Sequence, residues 1–269
     1  MMKEHFLFNG DIYYRTNDFL SNRKTLVFIH GLTGSSSAWL EYEKRFQANF
    51  NILTFDLRGH GKSNKPRRYQ DYEIRDFVQD IDELIRHLHI EKFTMISHSF
   101  GVIMALEFLI QNQTKVESAI FLAPIFNVKK VRWARIVHAL LGWSAGIMSQ
   151  IPFSGNTGKH VDYSKYQNTG DWNLRTMAAD VPNTSFHVYV YCLDHIYKFR
   201  GEHYLDYISI PTLIVHGKKD TIMPVKNVIE EVKKIKNHKL ILLDNANHIL
   251  VLNNVSEVSQ AIEDFVATI

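Results

Sequence analysis

The sequence predicts an α/β protein built on a mostly parallel, doubly wound sheet, and three features of its pattern carry this prediction. Short apolar runs alternate with longer segments in which apolar residues recur every three or four positions. The runs are apolar at successive positions, as expected of strands that helices cover on both faces. One long stretch breaks the alternation, which indicates an insertion into the sheet domain.

The chain is expected to begin with a β-hairpin. Two short β-like runs, His5–Phe8 and Asp11–Arg15, flank the dipeptide Asn9-Gly10. Asn-Gly tolerates the positive φ angles that both central residues of a type I′ turn require. Beyond this hairpin, apolar runs predict the main strands of the sheet: Thr25–Ile29, Asn51–Phe55, Phe93–Ile96, Ser118–Leu122, Thr212–Val215 and Leu240–Leu243.

The segments between these runs predict amphipathic helices, because their apolar residues fall on one face at helical spacing. The predicted helices are Ala38–Ala48, Ile74–His89, Val102–Gln111, Val225–Ile235 and Val255–Ala267. Strand and helix therefore alternate, as they do in a parallel sheet wound from both sides.

Residues 124–207 do not fit this alternation, because the next β-like run is too distant for a single crossover. The stretch is predicted to form a helical cap, inserted into a core domain of residues 1–123 and 208–269. It holds three of the four tryptophans, Trp133, Trp143 and Trp172. Its aromatic side chains fit two roles, the cover of a pocket or a small hydrophobic core, and the sequence leaves both open.

Composition argues against several kinds of partner. The 31 basic and 28 acidic residues are dispersed, with a formal net charge of +3, so no nucleic-acid-binding arm is expected. No stretch of about 18 apolar residues suggests a transmembrane span, while association with a lipid surface stays open. Zinc-ligand spacings are lacking, and no metal is predicted.

Two features favour a cytoplasmic protein: the single cysteine, Cys192, and the absence of a signal-like start.

The run from Phe93 through Ser99 to Gly101 places a serine between an apolar strand and an amphipathic helix. This is the nucleophile-elbow pattern, in which a sharp turn exposes the serine and the residues two before and two after must be small. Ser97 and Gly101 meet that requirement. Ser99 is therefore the predicted nucleophile, and the amide of Phe100 at the start of the helix can stabilise an oxyanion.

A serine hydroxyl needs a base near neutral pH, and the base needs an acid that orients it. Asp220 follows the predicted strand Thr212–Val215, and His248 follows the strand Leu240–Leu243. Open α/β sheets build their sites beyond the carboxyl ends of strands. We therefore predict His248 as the general base and Asp220 as the orienting acid, with Asp194 and Asp244 as reserve candidates for the acid.

The turn His30-Gly31-Leu32-Thr33-Gly34 follows the first central strand and can lend a second amide to an oxyanion hole. Leu32 is the predicted donor, through its backbone. His30 is interpreted as a brace for this turn, and His98 as a packing residue beside the nucleophile. The pocket is predicted to be lined by His30, Gly31, His98, Phe126, Trp133 and Trp143.

These motifs together resemble the α/β-hydrolase superfamily, from the first hairpin to the last helix. The loop from Asp56 to Ser63, Asp-Leu-Arg-Gly-His-Gly-Lys-Ser, is similar to the loop after the second central strand in lid-bearing members. The chain order Ser99, Asp220, His248 is the order of that family. Two positions depart from its pattern: Ser97 replaces the usual glycine, and Val102 stands where another glycine commonly follows. Gly61-Lys62-Ser63 lacks the upstream glycine of a phosphate-binding loop.

The resemblance implies a soluble, cofactor-independent serine hydrolase that cleaves small-molecule carboxylic esters of small to medium acyl chains through an acyl-enzyme. Serine at position 99 sets the chain apart from dehalogenases and epoxide hydrolases of the family, which use aspartate there. Two alternatives stay open. One is a carbon-carbon bond hydrolase with the same triad, and the other is a ligand-binding receptor or regulator with slow hydrolysis. The oligomeric state is left undecided by the sequence.

Overall fold

The computed structural model describes residues 1–7, 11–128, 144–151 and 158–269, with backbone only at residues 177 and 181–183. The predicted hairpin turn Asn9-Gly10 and the tryptophans Trp133 and Trp143 lie outside these ranges. Within them, no helix combines the length and apolar character that crossing a bilayer requires.

The strands of the described chain form a single sheet in the order β1-β2-β4-β3-β5-β6-β7-β8. Both pairings of β2 are antiparallel, and all other neighbours are parallel. The chain winds outward from β3 in both directions, so the predicted doubly wound sheet with an N-terminal hairpin is confirmed. The strands are Lys3–Leu7 (β1), Ile12–Thr16 (β2), Thr25–Ile29 (β3), Asn51–Phe55 (β4), Phe93–His98 (β5), Val116–Leu122 (β6), Thr212–Gly217 (β7) and His238–Leu243 (β8).

Burial on both faces explains why the central strands are continuously apolar. Alternate residues of β3 enter different hydrophobic clusters, Val27 and Ile29 on one side of the sheet and Leu26 and Phe28 on the other. All four side chains are inaccessible to solvent. A strand whose successive side chains face opposite layers must be apolar at every position when helices cover both faces.

The predicted helices are present with shifted ends. The helix after β5 begins at Phe100, two residues before its apolar periodicity starts, because the elbow turn leads directly into it. The segment after β3 begins with a 3₁₀ turn, Ser36–Trp39. The helices are Leu40–Phe46 (α1), Ile74–His87 (α2), Phe100–Asn112 (α3), Leu174–Thr184 (α4), Phe186–Lys198 (α5), Val225–Val232 (α6), Leu250–Asn253 (α7) and Val255–Val266 (α8).

The segment between β6 and β7 carries α4, α5 and several 3₁₀ turns. Two of its attachments to the sheet domain lie close together: His160 Nε2 lies 2.7 Å from Asp56 Oδ2, and the N–H of Gly158 donates to the carbonyl of Gly61 at 2.7 Å. In α5, Asp194 accepts hydrogen bonds from Tyr69 and Lys198. The division into a core and a cap at residues 124 and 207 stays a prediction.

Candidate active site

Ser99 occupies the turn between β5 and α3, with φ +52° and ψ −111°. This is a strained conformation for a residue with a side chain, and the surrounding packing holds it in place. Gly101 explains why the turn needs a small residue, because a Cβ there would lie 2.7 Å from the carbonyl oxygen of His30 and 2.8 Å from that of Ile29. Ser97, two residues before the turn, is fully buried.

The three predicted catalytic side chains form one hydrogen-bonded series. Ser99 Oγ lies 2.7 Å from His248 Nε2, and His248 Nδ1 lies 2.7 Å from Asp220 Oδ2. The carboxylate fixes the tautomer, because an ionised Asp220 can only accept, so Nδ1 carries the proton and Nε2 is free to accept from the serine hydroxyl. The residues are 6%, 5% and 6% exposed in the order Ser99, His248, Asp220.

Asp220 is held by the turn that follows β7. Its Oδ1 accepts from the N–H groups of Ile222 at 2.9 Å and Met223 at 2.7 Å. Burial, the largest single influence, would raise the pKa of this carboxyl, but His248, His216 and the N–H of Met223 together lower it. Asp220 therefore stays ionised at neutral pH, as an acid that orients an imidazole must.

The turn after β3 lies directly against the nucleophile. A Cβ on Gly31 would come within 2.8 Å of His98 Nδ1 and 3.3 Å of Ser99 Cβ. Leu32 and Phe100 line the same cavity as Ser99, and in the described part of the chain neither backbone N–H has an acceptor. Two unbonded N–H groups beside a serine are what an oxyanion hole requires.

His30 and His98 have other partners than the serine hydroxyl. The N–H of Leu57 donates to His30 Nε2 at 3.0 Å, so His30 donates from Nδ1 to the carbonyl of Gly31 at 2.7 Å. It braces the loops after β3 and β4, and burial lowers its pKa. His98 Nε2 lies 3.0 Å from the carbonyl of His248, and burial lowers its pKa to about 3. Both imidazoles are therefore neutral at physiological pH.

The loop from Asp56 to Ser63 has a structural role. The buried Asp56 accepts from the N–H groups of Ser36 and Lys62 at 2.7 Å each, in addition to its contact with His160. Burial would raise the pKa of this carboxyl, but the hydrogen bonds from His160 and Ser36, with the nearby His30, lower it to about 2. Asp56 therefore joins three separate segments around the site.

Asp171 is a residue of the site that sequence reasoning missed. Its Oδ1 accepts from the backbone N–H of His248 at 2.7 Å, and its Oδ2 accepts from the N–H and the hydroxyl of Thr221 at 2.8 and 2.7 Å. The carbonyl of the nearby Thr169 accepts from the side chains of Asn247 and Asn253 at 2.8 Å each. Asp171 lies in an irregular segment, and no sequence motif marks it.

A cavity of about 460 Å³ opens onto Ser99 and His248. Its walls are mostly apolar and come from both parts of the chain, Trp39 and Val251 on one side and Tyr189, Leu193 and Tyr197 of α5 on the other. Of the predicted pocket residues, His30, Gly31 and His98 line it. Phe126 does not line it.

Phe126 packs into the hydrophobic core instead of facing the cavity. Its side chain is fully buried, and its ring stands edge-on to Phe121 at 6.2 Å between centroids. The predictions for Trp133 and Trp143 concern residues outside the described ranges.

Several known proteins are similar to this chain in sequence or in fold. A proline iminopeptidase of Saccharolobus solfataricus is 22% identical, over 97% of this chain and 90% of that protein. An enol-lactonase from Burkholderia xenovorans superposes with a TM-score of 0.73 at 19% identity, covering 98% of this chain and 100% of that one. An esterase from Exiguobacterium antarcticum gives a TM-score of 0.73 at 17% identity, covering 95% and 96%. Likeness to solved structures at this level of identity establishes a shared fold.

The family model for the alpha/beta hydrolase fold matches residues 24–255, from the start of β3 to the start of α8. This range includes the elbow, the loops after β7 and β8, and the insertion between β6 and β7. The chain therefore belongs to the alpha/beta hydrolase family.

Proposed function

We propose that this protein is a serine esterase that hydrolyses carboxylic esters of small to medium acyl chains through an acyl-enzyme intermediate. The observation that carries the proposal is the hydrogen-bonded series from Ser99 Oγ through His248 to Asp220, with 2.7 Å at each step. It stands at the wall of an apolar cavity, where a neutral ester can bind.

In the proposed reaction, Ser99 Oγ attacks the ester carbonyl carbon while His248 Nε2 takes the hydroxyl proton. The backbone N–H groups of Leu32 and Phe100 stabilise the negative oxygen of the tetrahedral intermediate. Collapse of this intermediate breaks the bond to the alcohol, which leaves with the proton from His248. Water then attacks the acyl-enzyme with His248 as base again, releasing the acid and restoring Ser99.

The cavity supports the proposed substrate range. Its volume of about 460 Å³ falls in the lower part of the range for small-molecule sites, about 300–1,000 Å³. Among the described lining residues there is no lysine or arginine that would select an anionic substrate. A short to medium acyl chain and an uncharged alcohol match both properties.

The test is hydrolysis of p-nitrophenyl esters from acetate to dodecanoate by the wild type, Ser99→Ala and His248→Ala. We expect repeated turnover by the wild type, an optimum below the longest chains, and a fall of about 10³-fold or more in kcat for each variant. Ser97→Ala is the matched control, because the buried Ser97 Oγ lies near the elbow and has no hydrogen-bond partner among the described residues.

Unchanged activity in Ser99→Ala would show that Ser99 is not the nucleophile. Esters that stay inert to the wild type would contradict the esterase proposal. In that case, cleavage of diketone compounds would favour carbon-carbon hydrolysis, and a thermal shift with a ligand but without turnover would favour a receptor.

A further inference from the structure

Asp180 places a carboxyl group in the wall of the otherwise mostly apolar cavity. It lies on α4, within the insertion, and lines the same cavity as Ser99 and His248. Only 9% of the residue is exposed. A carboxyl group removed from water in such surroundings is costly unless hydrogen bonds satisfy it, so its partners are informative.

The surroundings of Asp180 include the turn of the proposed oxyanion hole. Its Oδ1 accepts from the hydroxyl of the buried Tyr163 at 3.0 Å. Thr33, whose hydroxyl donates to the carbonyl of Leu32 at 2.6 Å, lines the same cavity. Thr33 follows Leu32 directly, with φ +62°. The end of α4 contacts the same turn, where the Thr184 hydroxyl donates to the carbonyl of Thr33 at 3.3 Å.

No cation balances this carboxyl among the residues that the structure describes. The titratable group that hydrogen-bonds to it is the Tyr163 phenol, whose own pKa is raised by burial, while His248 and Asp171 line the same cavity. Burial raises the pKa of Asp180 to about 7. Near neutrality the group therefore exists in both forms, able to donate as an acid and to accept as a carboxylate.

Resting on the proposed ester hydrolysis, we propose that Asp180, hydrogen-bonded to Tyr163, forms a polar subsite that selects esters with a second hydrogen-bonding group, such as a hydroxyl, near the scissile bond. The hydroxyl would take up the hydrogen-bonding capacity of Asp180 that Tyr163 leaves unused. An apolar ester of the same shape would cover the carboxyl without satisfying it. A site built to bind a polar group discriminates strongly against an analogue that lacks it.

The experiment compares two pairs of isosteric esters in which a methyl group replaces a hydroxyl. Ethyl 3-hydroxybutanoate and ethyl 3-methylbutanoate test the acyl side, and 2-hydroxypropyl butanoate and 2-methylpropyl butanoate test the alcohol side. We expect the wild type to favour the hydroxyl ester at least about tenfold in kcat/KM in one pair.

Variants separate recognition from structure. Asp180→Asn, which can still donate and accept, should keep the preference, while Asp180→Leu and Asp180→Ala should abolish it, as measured by the ratio of kcat/KM between the hydroxyl and methyl esters of a pair. Asp162→Asn is the control, because Asp162 precedes Tyr163 but is exposed and does not line this cavity. A preference retained by the apolar variants would overturn the subsite.

Failure of the subsite and failure of the esterase proposal give different results. If the wild type hydrolyses all four esters in a Ser99-dependent manner without preference in either pair, the subsite alone is wrong. This comparison needs only the wild type and Ser99→Ala, so it decides even if the Asp180 variants do not fold. If none of the four is hydrolysed, both proposals fall together.

Discussion

The Asp171 carboxylate accepts a hydrogen bond from the backbone N–H of His248 at 2.7 Å. Asp171 belongs to the insertion, whereas His248 lies in the loop after β8. The same carboxylate binds Thr221, the neighbour of Asp220. One side chain outside the sheet therefore ties the loop of the proposed acid to the loop of the proposed base.

Replacing Asp171 should impair catalysis more than binding. In Asp171→Ala the His248 loop loses an acceptor for its N–H, and we expect kcat for p-nitrophenyl butanoate to fall about 10–100-fold with a smaller change in KM, because small displacements of catalytic groups are costly. Asp171→Asn keeps one acceptor oxygen, so its kcat should lie between those of the wild type and Asp171→Ala. The exposed Asp206 offers the control Asp206→Ala. A lower melting temperature with unchanged kcat would assign Asp171 to stability alone.

Asp220→Asn should reduce kcat by about 10⁴-fold at neutral pH, because an amide no longer stabilises the imidazolium or selects its tautomer. Two other acids provide controls. Asp244 is exposed and pairs with Lys218 at 2.7 Å, and Asp194 belongs to α5. Asp244→Asn and Asp194→Asn should therefore retain most of their activity. A large loss in either one, with an active Asp220→Asn, would mean that another carboxylate orients His248.

Gly101→Ala should destabilise the elbow, since its Cβ would overlap the backbone carbonyls of Ile29 and His30. We expect a loss of about 1–3 kcal/mol in the free energy of unfolding, measured by urea denaturation, together with reduced kcat. Gly146 provides the matched control, because no atom of the described residues lies within 4 Å of a Cβ built there. Equal stability of Gly101→Ala and the wild type would indicate that the turn can relax.

Asp180 should make the folded protein less stable as the pH rises. Its pKa is about 7 when folded, against an ordinary value of 3.8, so between these values the folded chain holds a proton that the unfolded chain has released. The free energy of unfolding therefore decreases across that range, by up to about 4 kcal/mol from this group. Asp180→Asn should flatten this decrease in denaturation curves at pH 4, 6 and 8. Parallel curves for both proteins would contradict the raised pKa.

Local patterns were sufficient for the sheet and for the three residues of the hydrogen-bonded series. β3 and β4 have the predicted bounds, because a strand buried on both faces is apolar throughout. Ser99, Asp220 and His248 lie just beyond the carboxyl ends of β5, β7 and β8, so the common edge of a parallel sheet brings them together. Helix ends were less predictable from the sequence. The helix α3 begins at Phe100 because the elbow turn at Ser99 leads directly into it, and the spacing of apolar residues does not show this.

The residues that the insertion contributes to the site could not be predicted, because tertiary contacts place them there and the spacing of residues in the sequence does not show those contacts. Asp171 and Asp180 carry no motif, and only the fold brings Asp171 to the His248 N–H and Asp180 to the cavity wall. Phe126 shows the converse, because aromatic composition indicated the pocket whereas packing against Phe121 put the ring into the core. Composition tells which side chains are available, and only the fold decides which surface they face.

The attachment of the insertion at His160 and at Thr169 to Asp171 has a consequence for protein engineering. A chimera that exchanged residues 124–207 for the corresponding segment of a relative would remove these attachments along with the cavity wall. An exchange limited to α4 and α5 would leave them in place and replace Asp180, Tyr189, Leu193 and Tyr197. Libraries that exchange only α4 and α5 can therefore vary the substrate range and keep the native contacts that hold His248.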